Sequence, residues 1–65
     1  MIFRDWLKKN TVRDDAVGDF ARDVGMDPRF PTADSKERIQ SYLQINGACT
    51  LALDAFNAAW TECKK

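Results

Sequence analysis

The sequence contains no histidine and only two cysteines among its 65 residues. Without an imidazole, the chain lacks the side chain that most often acts as a general base or activates a nucleophile near neutral pH. Two thiols without a histidine also fall short of the four protein ligands of a structural zinc site. We therefore expect no enzymatic activity, no metal and no cofactor.

An excess of charge of either sign is also missing, because ten basic residues balance ten acidic ones. Non-specific binding to nucleic acid depends on neutralising phosphates, so a neutral chain is a poor candidate unless it carries a local basic patch. Long hydrophobic runs are absent too, and no segment approaches the length of about 20 apolar residues that a transmembrane helix needs. We expect no association with a membrane.

The two cysteines, Cys49 and Cys63, are not expected to form a disulfide. If residues 50–63 form one helix, their Cα atoms lie about 20 Å apart at ~1.5 Å per residue, whereas a disulfide needs about 4.4–6.8 Å. Reduced thiols and the lack of a recognisable signal peptide predict a reducing, cytoplasmic location.

The length suits one domain, which we expect to span residues 1–65. Apolar residues recur at the three- and four-residue spacing of amphipathic helices, and no segment alternates in the manner of a half-buried strand. The predicted helices cover residues 2–9, residues 15–24, a segment from about residue 34 to the Asn46-Gly47 pair, and residues 50–63. The sequence therefore predicts an all-α fold, a single compact bundle of four helices.

Several residues carry specific predictions about the ends of these helices and the longest loop. Gly25 is expected to end the second helix in a left-handed conformation. Asp34 and Glu37 have the spacing of a capping box for the third helix, and Thr50 is a candidate N-cap of the fourth. Phe30, in the loop over residues 26–33, is expected to fill the core.

The order of the larger residues resembles that of a known family. The matching pieces are Phe3 and Leu7, Asp19-Phe20-Ala21, Phe30-Pro31, Ile39, Ser41-Tyr42-Leu43, Asn46, Phe56 and Ala59-Trp60. In this order they resemble the YozE family of small bacterial proteins with a fold like that of the sterile α-motif (SAM). The resemblance implies a four-helix SAM-like bundle and implies little about activity. SAM domains bind proteins or RNA, which is an analogy at the level of the fold.

Four basic residues near the first helix form one candidate interaction surface. They are Arg4, Lys8, Lys9 and Arg13. Beside Trp6 they could face the phosphates of a nucleic acid, and such binding would weaken steeply with salt. In the alternative interpretation they are a solvated helix face, and Trp6 belongs to the core.

Three acidic residues on the second helix form the other candidate surface. Asp15, Asp19 and Asp23 follow one another at four-residue spacing, with Asp27 just beyond. Like charges at this spacing destabilise a helix slightly, and Arg22 can relieve part of the repulsion. The functional interpretation is an acidic edge that meets a basic partner, and the alternative is ordinary protein surface.

We therefore predict a small non-catalytic interaction module that binds a protein partner through its helix faces and the loop over residues 26–33. The alternative hypothesis is a nucleic-acid-binding protein that uses the basic first helix. A helix-turn-helix is not favoured, because the exposed positions of the last helix include Asp54 and Glu62, whose charges would repel phosphates. The identity of the partner and the oligomeric state stay open.

Overall fold

The computed structural model describes residues 2–65. This part of the chain contains four α-helices joined by loops, and it contains no strand. The helices are α1 (Phe3–Lys9), α2 (Ala16–Gly25), α3 (Lys36–Ile45) and α4 (Thr50–Cys63). The prediction of an all-α four-helix fold is confirmed. The bounds differ most at α3, which begins at Lys36 and not near Asp34.

The core is centred on Phe56 of α4, whose side chain has none of its surface exposed. Its ring centroid lies 5.7 Å from that of Phe3, 6.1 Å from that of Phe20 and 6.3 Å from that of Trp60. These tilted and edge-on contacts are the favourable geometries for aromatic pairs. One aromatic cluster therefore joins α1, α2 and α4.

The loop between α2 and α3 contributes to the same core. Phe30 is only 3% exposed and makes edge-on contacts with the rings of Phe20 and Tyr42. The prediction that Phe30 fills the core is confirmed. Arg4 on α1 also donates a hydrogen bond to the carbonyl oxygen of Phe30 over 3.1 Å. Both the side chain and the backbone of Phe30 therefore hold the loop in place.

Asp34 has a different partner from the one that the sequence predicts. Its Oδ1 accepts a hydrogen bond from the backbone N–H of Phe3 over 3.0 Å, and its Oδ2 pairs with the Lys64 ammonium. Ser35 caps α3 by accepting from the N–H of Arg38. The predicted capping box is wrong, because the carboxylate of Asp34 instead satisfies the unpaired N–H at the start of α1.

Asp15 caps the start of α2, and the predictions for two other helix ends are wrong. The Oδ1 atom of Asp15 accepts from the N–H of Gly18 over 2.9 Å. Gly25 is the last residue of α2 and its φ is not positive, so the predicted left-handed conformation is wrong. The glycine with a positive φ is Gly47, at 73°. Thr50 is the first residue of α4, and Cys49 occupies the N-cap position without a side-chain capping bond.

The longest helix, α4, packs against each of the other three. Its larger apolar residues Phe56 and Trp60 belong to or pack against the core. At Ala52, Ala55 and Ala58 the side chains are short, and here α4 lies beside α2. Since methyl groups cannot fill the space between two helix surfaces, a groove stays open along this contact.

Candidate functional site

The groove between α2 and α4 has a volume of about 450 Å³ and opens to solvent. It continues into a smaller part of about 190 Å³ that shares Phe20, Asp23 and Ala52 with the larger one and reaches Leu43 and Ala48. The larger part is lined by Ala16, Val17, Asp19, Phe20, Asp23, Cys49, Leu51, Ala52, Asp54, Ala55 and Ala58. We call this surface the α2–α4 groove.

The floor of the groove is apolar and continuous with the core. Val17, Phe20 and Ala55 lie at the floor and are 5%, 6% and 6% exposed, respectively. At the rim, the side chain of Leu51 is 79% exposed. A large aliphatic side chain that stays in water beside an apolar floor loses burial energy of about 1.5–3 kcal/mol until a partner covers it.

The rim carries negative charge on both walls. Asp19 and Asp23 come from α2, and Asp54 comes from α4. Asp19 forms an ion pair with Arg22. Within residues 2–65, no hydrogen bond or ion pair engages the side chain of Asp23 or Asp54, and no lysine or arginine lines the groove.

The third acidic residue of the predicted edge, Asp15, has a structural role away from the groove. Besides capping α2, it pairs with Arg13 over 2.7 Å, and Arg13 also pairs with Glu62 of α4 over 2.8 Å. Hydrogen bonds from the Arg13 guanidinium lower the pKa of Asp15 and of Glu62. These two carboxylates in turn raise the pKa of Arg13. The triad links the turn before α2 to the end of α4.

The predicted basic surface is divided by the fold. Arg13 is paired with two carboxylates, and Arg4 donates to the Phe30 carbonyl oxygen. Lys8 and Lys9 are exposed. The Trp6 ring is half-buried, packs against the core and stacks on Phe3 with a centroid distance of 6.4 Å. The structure therefore leaves two of the four predicted cations available.

The loop over residues 26–33 is held by Asp27 as well as by Phe30. The Tyr42 hydroxyl and the N–H of Arg29 both donate to the Asp27 carboxylate. The hydrogen bond from Tyr42 lowers the pKa of Asp27, and the same bond raises the pKa of Tyr42. Met26, at the start of the loop, is 84% exposed. The loop thus borders the groove as a fixed edge, since Asp27 lines its smaller part.

We expect the midpoint of thermal unfolding to be nearly constant from about pH 5 to pH 8 and to fall below about pH 4. Four carboxyl groups have a pKa that is lower in the folded state, and Lys64 is the main cause at Asp34. The four are Asp15, Asp27, Asp34 and Glu62. In the unfolded chain the pKa is about 3.9 for aspartate and about 4.3 for glutamate. A carboxyl group with a lower pKa in the folded state stabilises the fold fully at a pH above these values. Its contribution is lost as the pH falls through the pKa of the folded state.

Circular dichroism melts between about pH 2 and pH 8 measure this profile. The chain has no histidine to titrate in the upper half of that range. A midpoint that shifted steadily between about pH 5 and pH 8 would show that other groups control the stability.

The other chemical groups near the groove are few. Cys49 is exposed at the rim, Cys63 is half-buried at the other end of α4, and they form no disulfide. Across residues 2–65, no cluster of three or more Cys, Asp or Glu side chains is arranged to hold a metal ion. In the same range, every helix is too short or too polar to cross a bilayer.

Sequence reasoning found Asp19 and Asp23 but missed Leu51 and Asp54, which complete the groove. The available signal was the alanine spacing of α4. Alanines at 52, 55 and 58 recur every three residues, so they leave one side of the helix without large side chains.

Comparison with protein families agrees with the fold. No curated protein and no solved structure matches the chain significantly. A family model described as the YozE SAM-like fold matches residues 3–65, a range that includes all four helices and both walls of the groove. The family resemblance that the sequence shows between Phe3 and Trp60 is therefore confirmed over nearly the whole chain, and the protein belongs to the YozE SAM-like family.

Proposed function

We propose that this protein is a non-catalytic interaction module that binds a protein partner in the α2–α4 groove. The observation that carries the proposal is the apolar groove of about 450 Å³ with Leu51 exposed at its rim. Contiguous exposed apolar surface on a small protein marks sites of interaction. A groove between two helices is also a recurrent docking site for a helix from another protein.

The chemistry of the groove favours binding over catalysis. The reactive groups of its larger part are three carboxylates and the Cys49 thiol, all on an open surface. A thiol nucleophile needs a neighbouring base or cation, and no lysine or arginine lines the groove in the described part of the chain. Acid–base catalysis needs groups that converge on one reacting atom. These carboxylates stand on two walls above an apolar floor, an arrangement suited to orienting a docked chain.

A cytoplasmic location is part of the proposal. Cys49 is exposed and forms no disulfide. Exposed thiols persist in reducing compartments and become oxidised or paired in oxidising ones.

Binding of nucleic acid through α1 is the less favoured alternative. Lys8 and Lys9 are exposed, whereas Arg4 and Arg13 are engaged in the contacts that hold the loop and α4. Neutralising two phosphates gives little affinity at physiological salt, because each phosphate contact contributes separately to the release of counterions. The groove therefore supports a protein partner better than the first helix supports a nucleic acid.

Quantitative affinity capture from the lysate of the native host tests the proposed groove. We expect Leu51→Gln to reduce recovery of the specific partner by about tenfold or more, because the partner would no longer bury a leucine side chain. Ile45→Gln on α3 is the matched control, since Ile45 is 84% exposed and does not line the groove. It removes the same kind of exposed side chain and should leave recovery unchanged.

The test compares how much partner is recovered with the wild type, with Leu51→Gln and with Ile45→Gln. Equal recovery with the wild type and both variants would show that the groove is not the binding surface. Recovery of no protein above a tag-only control would contradict the interaction module itself.

A further inference from the structure

We infer that the α2–α4 groove binds a basic amphipathic α-helix of its partner, an inference that rests on the proposed function and specifies the chemistry of the ligand. The groove has an apolar floor between two acidic walls. The complementary surface is an apolar stripe with lysine or arginine on both sides. An amphipathic helix presents this pattern, because residues three and four apart share a face.

The charges that would meet the helix are Asp23 and Asp54. They stand on different walls, Asp23 on α2 and Asp54 on α4, and within residues 2–65 neither has an ion-pair or hydrogen-bond partner. Asp23 also lines the smaller part of the groove. With no cation along either part, the two carboxylates repel acidic ligands and attract basic ones from both sides.

The shape of the groove favours a helix over an extended peptide. Its α2 wall runs from Ala16 to Val24, about 12 Å at ~1.5 Å per residue, which accommodates about two turns of helix. An extended peptide gains most of its affinity by adding a strand to a sheet edge. The described chain has no strand to extend. The short side chains of Ala52 and Ala55 let the axis of a docked helix approach closely.

A second copy of the chain is a poorer occupant. The large apolar residues that are exposed lie on different segments of the chain. They include Val12 before α2, Met26 after α2 and Ile45 on α3. The apolar side of α1, with Phe3 and Leu7, is buried in the core. No helix in the described part of the chain therefore offers an exposed apolar stripe flanked by cations.

Two synthetic helical peptides test the inference with the whole protein. One has about 14 residues, close to four turns, with leucine and alanine on one face and lysine on both flanks. The other replaces each lysine with glutamate. Fluorescence anisotropy should show that the lysine peptide binds about tenfold more tightly or better, with the difference shrinking between about 0.05 M and 0.3 M NaCl.

Variants assign that binding to the groove. Asp23→Asn combined with Asp54→Asn should weaken binding of the lysine peptide by about three- to tenfold. Asp5→Asn combined with Asp14→Asn changes the net charge equally at exposed positions outside the groove, and it should have little effect. Leu51→Gln should weaken binding as well. Equal affinity for both peptides, or an equal response to both double variants, would overturn the inference.

Capture from lysate separates this inference from the proposed function. If Leu51→Gln removes the captured partner but the Asp23→Asn, Asp54→Asn variant does not, the module stands and the basic ligand is wrong. Light scattering after size-exclusion chromatography measures the oligomeric state as the last test. A dimer of the wild type that Leu51→Gln dissociates would show that the groove is filled by a second copy, which would also overturn the inference.

Discussion

Replacing Phe56 with alanine is expected to leave the protein largely unfolded near physiological temperature. Truncating a buried phenylalanine costs about 3–5 kcal/mol. A domain of this length has a total stability of only about 3–10 kcal/mol at ~0.05–0.15 kcal/mol per residue. Phe56 contacts the rings of Phe3, Phe20 and Trp60, so its removal loosens α1 and α2 as well as α4. Far-UV circular dichroism and a urea titration measure the loss of helix and of unfolding free energy.

Two further variants control for the position and the size of the change. Phe56→Leu keeps most of the buried volume and should cost about 1–2 kcal/mol. Leu51→Ala shortens an exposed side chain five residues away on the same helix and should change stability by no more than about 0.5 kcal/mol. If Phe56→Ala melted within a few degrees of the wild type, the core would not be centred on this ring.

The helices were predictable because the signals that form them are local. Val17, Phe20, Ala21 and Val24 recur at the spacing of one helix face, and all four are buried in α2. The Asp15 cap lies beside the N–H groups that it serves. Such contacts join residues at most four positions apart, so the sequence states them directly.

Two of the errors, at Asp34 and Arg13, occurred where the partner is distant in sequence. Asp34 stands 31 positions from Phe3, and its bond to the N–H of that residue excludes the local capping box. Similarly, Arg13 reaches Glu62 across 49 positions, so a residue that spacing assigns to a basic surface acts instead as a structural link. A polar side chain takes the best partner that the folded chain brings near, and sequence spacing cannot identify that partner.

The candidate site depends on the same long-range packing. The sequence predicted an acidic edge of Asp15, Asp19 and Asp23, and the last two form the α2 side of the rim. The opposite wall requires the position of α4 beside α2, and this position follows from the aromatic core through Phe56. Leu51 and Asp54 become a binding surface only after that packing is known.

Gly18→Ala is expected to destabilise the protein by about 3 kcal/mol or more, although alanine is the better helix former by about 1 kcal/mol. A Cβ atom at residue 18 would lie 1.9 Å from the carbonyl oxygen of Arg13 and 2.7 Å from its carbonyl carbon. Gly18 therefore makes a close contact with the turn that precedes α2. Arg22 donates to the carbonyl oxygens of Thr11 and Arg13, so this turn is held in place and the clash cannot be relieved by a small shift.

Gly25→Ala is the matched control, because the same substitution on the same helix meets no atom within 4 Å. Gly25 has no positive φ, so alanine there should stabilise the fold by up to about 1 kcal/mol. For a domain of this size, about 1 kcal/mol corresponds to about 4–8 °C in the melting midpoint. The two variants should therefore shift the midpoint in opposite directions. A rise for both would mean that the turn before α2 can move away, and the contact at Gly18 would then not fix how α2 follows α1.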